Sequence, residues 1–160
     1  MAFRGRSALA LHPRAMRFGN AHSPISLKTA RFHALVVNSA ETAKREGHES
    51  TARLHDFDSV TQLPRQDAKA SAEVAVSHSN LNYKDGLIVL GKKGVVREFP
   101  IVPGIDFAGV VTSSHTGGAR EGDSVVLTGN KAGQFFDGGY SQRATCQAEW
   151  LPPGGPAPPV

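Results

Sequence analysis

The residues best suited to do chemistry are concentrated in one short stretch, Ser79–Leu87, which combines amide, phenol and carboxylate side chains. The stretch that begins at Asn82 is predicted to form one short helix that ends at Gly91. Asn82 is a good N-cap residue, and Asp85 falls in the first turn, where a negative charge is favourable. A second carboxylate, Asp106, opens the next apolar run of the chain.

Motifs of other reaction classes are missing from the 160 residues. There is no Gly-x-Ser-x-Gly, no His-Glu-x-x-His and no phosphate-loop pattern. The glycines of the stretch 117–122 lead into a strand and not into a helix, so they predict a turn rather than a phosphate site. The seven histidines are dispersed, and the single cysteine, Cys146, lies on a predicted strand as a small buried hydrophobe. The sequence therefore predicts neither a disulfide framework nor a metal site.

Short apolar runs separated by turns must position these residues. Strands are predicted where β-rich or alternating apolar residues recur, with turns every 8–12 residues or so. The predicted strands cover residues 32–37, 51–57, 72–77, 105–112, 124–128 and 140–146. The polar stretch 39–50 is predicted to be a loop. Gly109, within a strand, indicates a bulge or a close backbone approach. The fold class is therefore mainly β with one short helix, and a barrel is expected.

Charge is distributed unevenly along the chain. Residues 1–40 carry six basic residues and no acidic one, whereas residues 41–160 carry the other twelve basic and all fourteen acidic residues. An Arg-rich, acid-free leader is typical of a transit peptide to a mitochondrion or plastid. A leader without an address, in a cytoplasmic protein, and a basic nucleic-acid arm are the alternatives, but no aromatic or Lys-rich pattern supports the arm. No apolar run of about 18 residues is present, so no membrane span is predicted.

The sequence divides into three parts on this evidence. Residues 1–31 are predicted to be a basic disordered leader, and 32–151 a folded domain. Residues 152–160 are rich in Pro and Gly and are predicted to be disordered.

Three blocks in the folded part resemble the medium-chain dehydrogenase/reductase superfamily, and most closely its zinc-independent acryloyl-CoA reductase or quinone oxidoreductase branch. They are the Ser-Asn-Leu-Asn-Tyr-Lys-Asp block at 79–85, the Phe-Pro-x-x-Pro-Gly-Ile-Asp-Phe-Ala-Gly block at 99–109 and the Gly-Asp-x-Val-x-Leu-Thr-Gly block at 122–129. The blocks follow one another in the family's order and spacing, and the resemblance extends from about Phe32 to Leu151.

The resemblance implies a GroES-like β-barrel, which is the catalytic half of such enzymes. In the family a Rossmann domain follows and holds NADPH, and the active site lies in the cleft between the two domains. No counterpart of that domain is found in the 160 residues, so we expect a truncated chain that is inactive alone and does not form the family's homodimer. The implied activity is reduction of an activated C=C bond in a small molecule, an acryloyl-CoA-like thioester or a quinone or enone.

The resemblance also implies roles for the candidate residues. Asn82 and Tyr83 are expected to bind the cofactor, with Tyr83 against the nicotinamide, and Asp85 and Asp106 are the candidate catalytic residues. The alternatives are that Tyr83 packs against the barrel, that Asn82 and Asp85 only cap the helix, and that Asp106 only ties down a loop. Zinc-dependent members carry Cys and His at the positions of Asn82 and Ile105, which disfavours a metal site.

The loop after the helix is basic, with Lys92, Lys93 and Arg97. These residues either attract the phosphates of an acyl-CoA or simply form a solvated loop. A different class of function stays open for the whole chain, a non-catalytic GroES-like module that binds or scaffolds a partner.

Overall fold

The structure is a computed structural model that describes residues 31–47, 51–92, 94–115 and 117–152. Almost all of the predicted leader and almost all of the predicted tail lie outside these residues. Among the described residues, no helix is long and apolar enough to cross a membrane.

In the described part of the chain six strands form two antiparallel sheets, so the predicted mainly β class is confirmed. The elements in chain order are β1 (Phe32–Val37), α1 (Ala40–Arg45), β2 (Ala52–Phe57), β3 (Ala72–Ser79), α2 (Tyr83–Val89), β4 (Asp106–Ser114), β5 (Ser124–Thr128) and β6 (Arg143–Cys146), with single 3-10 turns at Val60–Gln62 and Ala148–Trp150. Strands β1 and β2 pair with each other, and the larger sheet has the order β5-β4-β3-β6.

The two sheets are joined by the stretch just before β6. Its residues 140–142 pair with β1, through Leu35 N–H to Tyr140 O at 2.8 Å and Gln142 N–H to His33 O at 3.0 Å. The chain then crosses to β3, where β6 pairs antiparallel. The predicted strand 140–146 is thus divided between two sheets, and this division is what brings them together.

The prediction of a loop over 39–50 is wrong at its start, where α1 forms. Ser39 caps this helix by accepting a hydrogen bond from Thr42 N–H at 3.1 Å. Glu41 lies in the first turn, and Lys44 and Arg45 lie in the last, as the helix dipole favours. The described residues therefore contain two short α-helices, not the single one predicted.

The core is built from strand faces and one helix. In the larger sheet, Val74, Val111 and Leu127 are completely or almost completely buried. A second apolar cluster anchors α2, whose Ile88 packs among Val37, Val96 and Ile101. The C-terminal end of α2 is thereby held against the core.

Two glycine predictions are confirmed. A Cβ on Gly109 would lie 2.1 Å from the carbonyl oxygen of Ala75, so β4 can approach β3 this closely only with glycine there. The stretch 117–122 forms the turn between β4 and β5, closed by Asp123 N–H to Arg120 O at 3.0 Å.

Candidate functional site

The start of α2 is fastened to the segment before β4 by one buried carboxylate. Asp85 is 0% exposed. One of its oxygens accepts hydrogen bonds from the backbone N–H groups of Gly104 at 2.9 Å and Ile105 at 3.2 Å. The other accepts from Asn82 N–H at 3.1 Å, which satisfies a free donor at the helix start. A buried carboxylate with three N–H partners makes this joint rigid.

Asn82 turns its side chain toward Asp106. The amide Nδ2 of Asn82 donates to Asp106 Oδ2 at 2.7 Å, and both residues are half-buried. The other oxygen of Asp106 accepts from Gly129 N–H at 3.0 Å. The contact therefore joins three places in the fold: the start of α2, the start of β4 and the end of β5.

Tyr83 follows Asn82 and projects into solvent, with 82% of the residue exposed. Leu81 on the other side of Asn82 is 77% exposed. The ring of Tyr83 thus does not pack against the folded domain, contrary to the alternative considered from the sequence. An exposed aromatic ring beside a fixed amide is a suitable surface for a planar ligand.

A cavity of about 270 Å³ lies beside Asp106. It is bounded by the end of β3 and by the facing residues of β4 and β5. Its lining residues are His78, Ser79, Asn80, Asp106, Phe107, Ala108, Val126 and Thr128. Three of the four predicted site residues, Asn82, Asp85 and Asp106, are therefore connected by hydrogen bonds, and the fourth, Tyr83, is exposed beside them.

Tyr140 belongs to this site although the sequence did not indicate it. Its hydroxyl donates to the carbonyl oxygen of Asn80 at 3.1 Å, just before α2. Burial raises the pKa of the Tyr140 hydroxyl, and the negative charge of Asp85 and a hydrogen bond to it act in the same direction. The only signal in the sequence was the Gly-Gly-Tyr turn, which predicts a strand start and no ligand.

Asp137 is a second residue that the sequence did not indicate, and it contacts the segment before β4. It is 3% exposed and accepts hydrogen bonds from Val102 N–H at 2.8 Å and Arg65 N–H at 2.6 Å. These partners are 35 and 72 positions away in the chain, so no local pattern could reveal them.

Metal ligands do not converge in the part of the chain that the structure describes. No group of three or more His, Cys, Asp or Glu side chains there is arranged to hold a metal ion. Ile105 offers no donor atom, and the side-chain amide of Asn82 already donates to Asp106. Cys146 is buried, as predicted, and burial raises the pKa of its thiol to about 12, so it is not available as a thiolate.

The basic loop after α2 is exposed. Lys92 and Arg97 are both exposed, and Lys93 lies outside the described residues.

Residues 68–155 match the alcohol dehydrogenase GroES-like domain family. The chain belongs to this family, within the medium-chain dehydrogenase/reductase oxidoreductases.

The relatives with similar sequences carry reductase names. The chain is 44% identical to the acrylyl-CoA reductase AcuI of Ruegeria pomeroyi over 122 residues. These residues are 76% of this chain and 34% of the relative. It is 42% identical to the putative quinone oxidoreductase YhfP of Bacillus subtilis over 80 residues. These residues are 50% of this chain and 24% of the relative.

Solved structures give the same result. The yhdH oxidoreductase of Salmonella enterica, solved in complex with NADP, matches with a TM-score of 0.63 at 35% identity and covers 78% of this chain. The yhfP protein of Bacillus subtilis, solved with NAD bound, matches with a TM-score of 0.62 at 34% identity. The chain spans about a third of the length of these relatives, 34% of the AcuI sequence and 35% of the yhdH chain.

Proposed function

We propose that residues 32–151 are the catalytic-domain portion of a zinc-independent, NADPH-dependent reductase of activated C=C bonds. The substrate class is an acrylyl-CoA-like thioester, with quinones and enones as the related alternative. The observation that carries the proposal is the exposed Tyr83 ring beside Asn82, whose amide is fixed by Asp106. The names of the relatives supply the substrate class.

The described residues fit one end of a dinucleotide. The Tyr83 ring is free to stack on a flat heterocycle, and its backbone position is fixed by α2. Neither described helix is preceded by a glycine-rich turn, the element that holds a pyrophosphate. In this proposal a second domain therefore binds the phosphates of the cofactor. The domain formed by residues 32–151 contributes the surface for its nicotinamide end. When bound, NADPH supplies the hydride that reduces the double bond.

Asp85 and Asp106 act in this proposal as positioning residues. Hydride addition to an unsaturated thioester places negative charge on the substrate oxygen, and a carboxylate would repel that charge. The oxygens of Asp85 are moreover occupied by three backbone N–H groups away from solvent. The two aspartates hold Asn82 and the start of α2 in place, and orientation of the reacting groups is the contribution that this domain makes.

The proposal predicts weak but specific cofactor binding by the 160-residue chain. A few contacts at one end of a dinucleotide must offset the cost of immobilising it, so we expect a Kd on the order of millimolar. Titration of ¹⁵N-labelled protein with NADPH should shift the Asn82 side-chain amide and the backbone signals of Tyr83 and Lys84. Tyr83→Ala should abolish these shifts.

The matched control is Leu54→Ala, which removes an exposed apolar side chain on β2, in the other sheet. This variant should bind NADPH like the wild type. Shifts that persist in Tyr83→Ala, or that occur mainly on β2, would contradict the proposed cofactor surface. Binding of a protein partner at Tyr83 without any response to NADPH would favour the scaffold module instead.

A further inference from the structure

Asp137 is a buried carboxylate whose two oxygens bind two separate segments of the chain. Oδ1 accepts from Val102 N–H at 2.8 Å, and Oδ2 accepts from Arg65 N–H at 2.6 Å. The backbone N–H of Asp137 also donates to Arg65 O at 2.9 Å. Asp137 thus ties the stretch before β3 to the stretch before β4.

The segment Val102–Ile105 is held from both sides. On one side Asp85 accepts from Gly104 and Ile105. On the other side, beyond the bond from Asp137, residues 138–140 donate three backbone hydrogen bonds to it. These run from Gly138 to Val102 O at 2.8 Å, from Gly139 to Gly104 O at 2.8 Å and from Tyr140 to Pro103 O at 2.9 Å.

This segment leads directly into Asp106, the partner of Asn82. A shift of Val102 relative to Arg65 would be passed along four fixed residues, because backbone hydrogen bonds hold them at both faces. Asp137 and Asp106 are thus connected through this segment, although their side chains share no hydrogen bond among the described residues.

We propose that Asp137 is a positioning residue of the candidate site, which sets the place of the Val102–Ile105 segment and through it the Asn82–Asp106 contact. The inference rests on the proposed function only in taking Asn82 and Asp106 as the site. Its test uses neither cofactor nor substrate, so the two can fail separately.

Ionisation of Asp137 gives the proposal a measurable handle. Burial raises the pKa of this carboxyl to about 6, against the opposing effects of the Val102 and Arg65 hydrogen bonds and the Arg65 charge. A protonated carboxyl keeps one good acceptor oxygen, so one of the two backbone bonds weakens. The segment is thus held more firmly above this pH than below it.

Other charged or titratable groups also lie near the two ends of the Val102–Ile105 segment, and their effects must be distinguished from that of Asp137. The Arg65 guanidinium faces Asp137 and is itself paired with Glu98. Asp85, Asp106 and Tyr140 lie at the far end of the segment. His78, an ionisable side chain, lines the cavity beside Asp106.

The test is a pH titration of the ¹⁵N-labelled chain, followed from about pH 4.5 to about pH 8. The backbone signals of Arg65 and Val102 report directly on Asp137. We expect Gly104, Ile105 and the side-chain amide of Asn82 to show the same transition, with a shared midpoint. Asp137→Asn should remove this transition at all five reporters, and His78→Gln should leave it unchanged.

A transition confined to Arg65 and Val102 would overturn the proposal, since Asp137 would then brace the fold without reaching the site. Loss of the Asn82 transition in His78→Gln would overturn it as well. If Asp137→Asn does not fold, the wild-type and His78→Gln titrations still decide between these outcomes.

Discussion

The side-chain amide of Asn82 and the carboxylate of Asp106 meet at 2.7 Å across 24 positions of sequence. Asp106 is fixed from behind by Gly129 N–H, and the backbone of Asn82 is fixed by Asp85. The amide donor is essential to this arrangement, because two carboxylates at the same distance would repel each other.

Asn82→Asp should therefore destabilise the protein in a pH-dependent way. It removes the donor and places two carboxylates in contact, with an expected loss of roughly 1–3 kcal/mol in the free energy of unfolding at pH 8. Mutual repulsion raises a carboxyl pKa in the folded state, so the loss should shrink as the pH falls toward 5. Urea denaturation of variant and wild type at both pH values measures it.

The control is Asn80→Asp, two residues earlier. Asn80 uses its side-chain oxygen as an acceptor for Leu81 N–H, which a carboxylate can replace. A loss at Asn80→Asp as large as at Asn82→Asp would contradict the importance of the Asp106 contact.

Gly138 is required by the close approach of two loops. A Cβ there would lie 2.2 Å from the carbonyl oxygen of Gly104 and 2.7 Å from that of Pro103. We expect Gly138→Ala to cost roughly 1–3 kcal/mol or more, because backbone atoms must move. Thermal denaturation should show a clearly lower Tm.

Gly86, in the middle of α2, is the matched control. A Cβ there meets nothing within 4 Å. Gly86→Ala should raise stability by about 0.5–1 kcal/mol, since alanine favours the helix. Equal effects of the two substitutions would contradict the claim that the close contact of the two loops requires glycine at position 138.

Asp137 should make the domain more stable in mild acid than at neutral pH. Its pKa is raised from 3.8 to about 6 in the folded chain, so between these values the folded state binds more protons than the unfolded state. The contribution is then fully present below about pH 4 and is lost as the pH rises through 6, by up to about 3 kcal/mol.

The measurement is the difference in unfolding free energy between wild type and Asp137→Asn at pH 4 and at pH 7.5. The free energy of unfolding of the wild type, relative to that of the variant, should be larger at pH 4 than at pH 7.5. A difference that is constant, or that grows toward neutral pH, contradicts the raised pKa. Ionisation of Asp137 lowers the free energy of unfolding but strengthens its hydrogen bonds from Val102 and Arg65. The unfolding experiment measures the first effect, and the titration of the Asn82 amide measures the second.

We also propose that the basic leader, residues 1–31, directs the chain to a mitochondrion or plastid. The basis is their six basic residues and the lack of any acidic one. A fusion of these residues to a fluorescent protein should accumulate in the organelle. The control replaces Arg4, Arg6, Arg14 and Arg17 with Gln and should stay in the cytosol. Diffuse cytosolic signal from the unaltered fusion would refute the proposal.

Much of the fold could be predicted because its signals are local. The alternating residues of β3 and the apolar run of β5 predict strands, and the position of Asn82 predicts the start of α2, all within two residues. The helix α1 was missed because its capping residue, Ser39, opens a polar, charged stretch that also looks like a loop. Local pattern does not distinguish these states when tertiary packing decides between them.

The connections of the site could not be predicted in the same way. Asp85 reaches Gly104 over 19 positions, and Tyr140 reaches Asn80 over 60. Asp137 stands in a turn with no motif that marks it as buried. Such partners become visible only when the sheets are assembled, because the pairing of residues 140–142 with β1 brings residues 137–140 against the segment before β4.

The most direct test of the proposed function is NADPH oxidation with acrylyl-CoA by two separate chains. One is the 160-residue protein, and the other is the portion of the Ruegeria pomeroyi relative that this chain does not match. We expect negligible turnover by either chain alone and clear turnover by the mixture, because reacting groups must be held within about 3–3.5 Å. In the mixture, Tyr83→Ala should reduce turnover at least about tenfold, a loss of about 1.4 kcal/mol in transition-state stabilisation, while Leu54→Ala should not. Turnover by the isolated protein, or equal turnover of Tyr83→Ala and wild type in the mixture, would contradict the account.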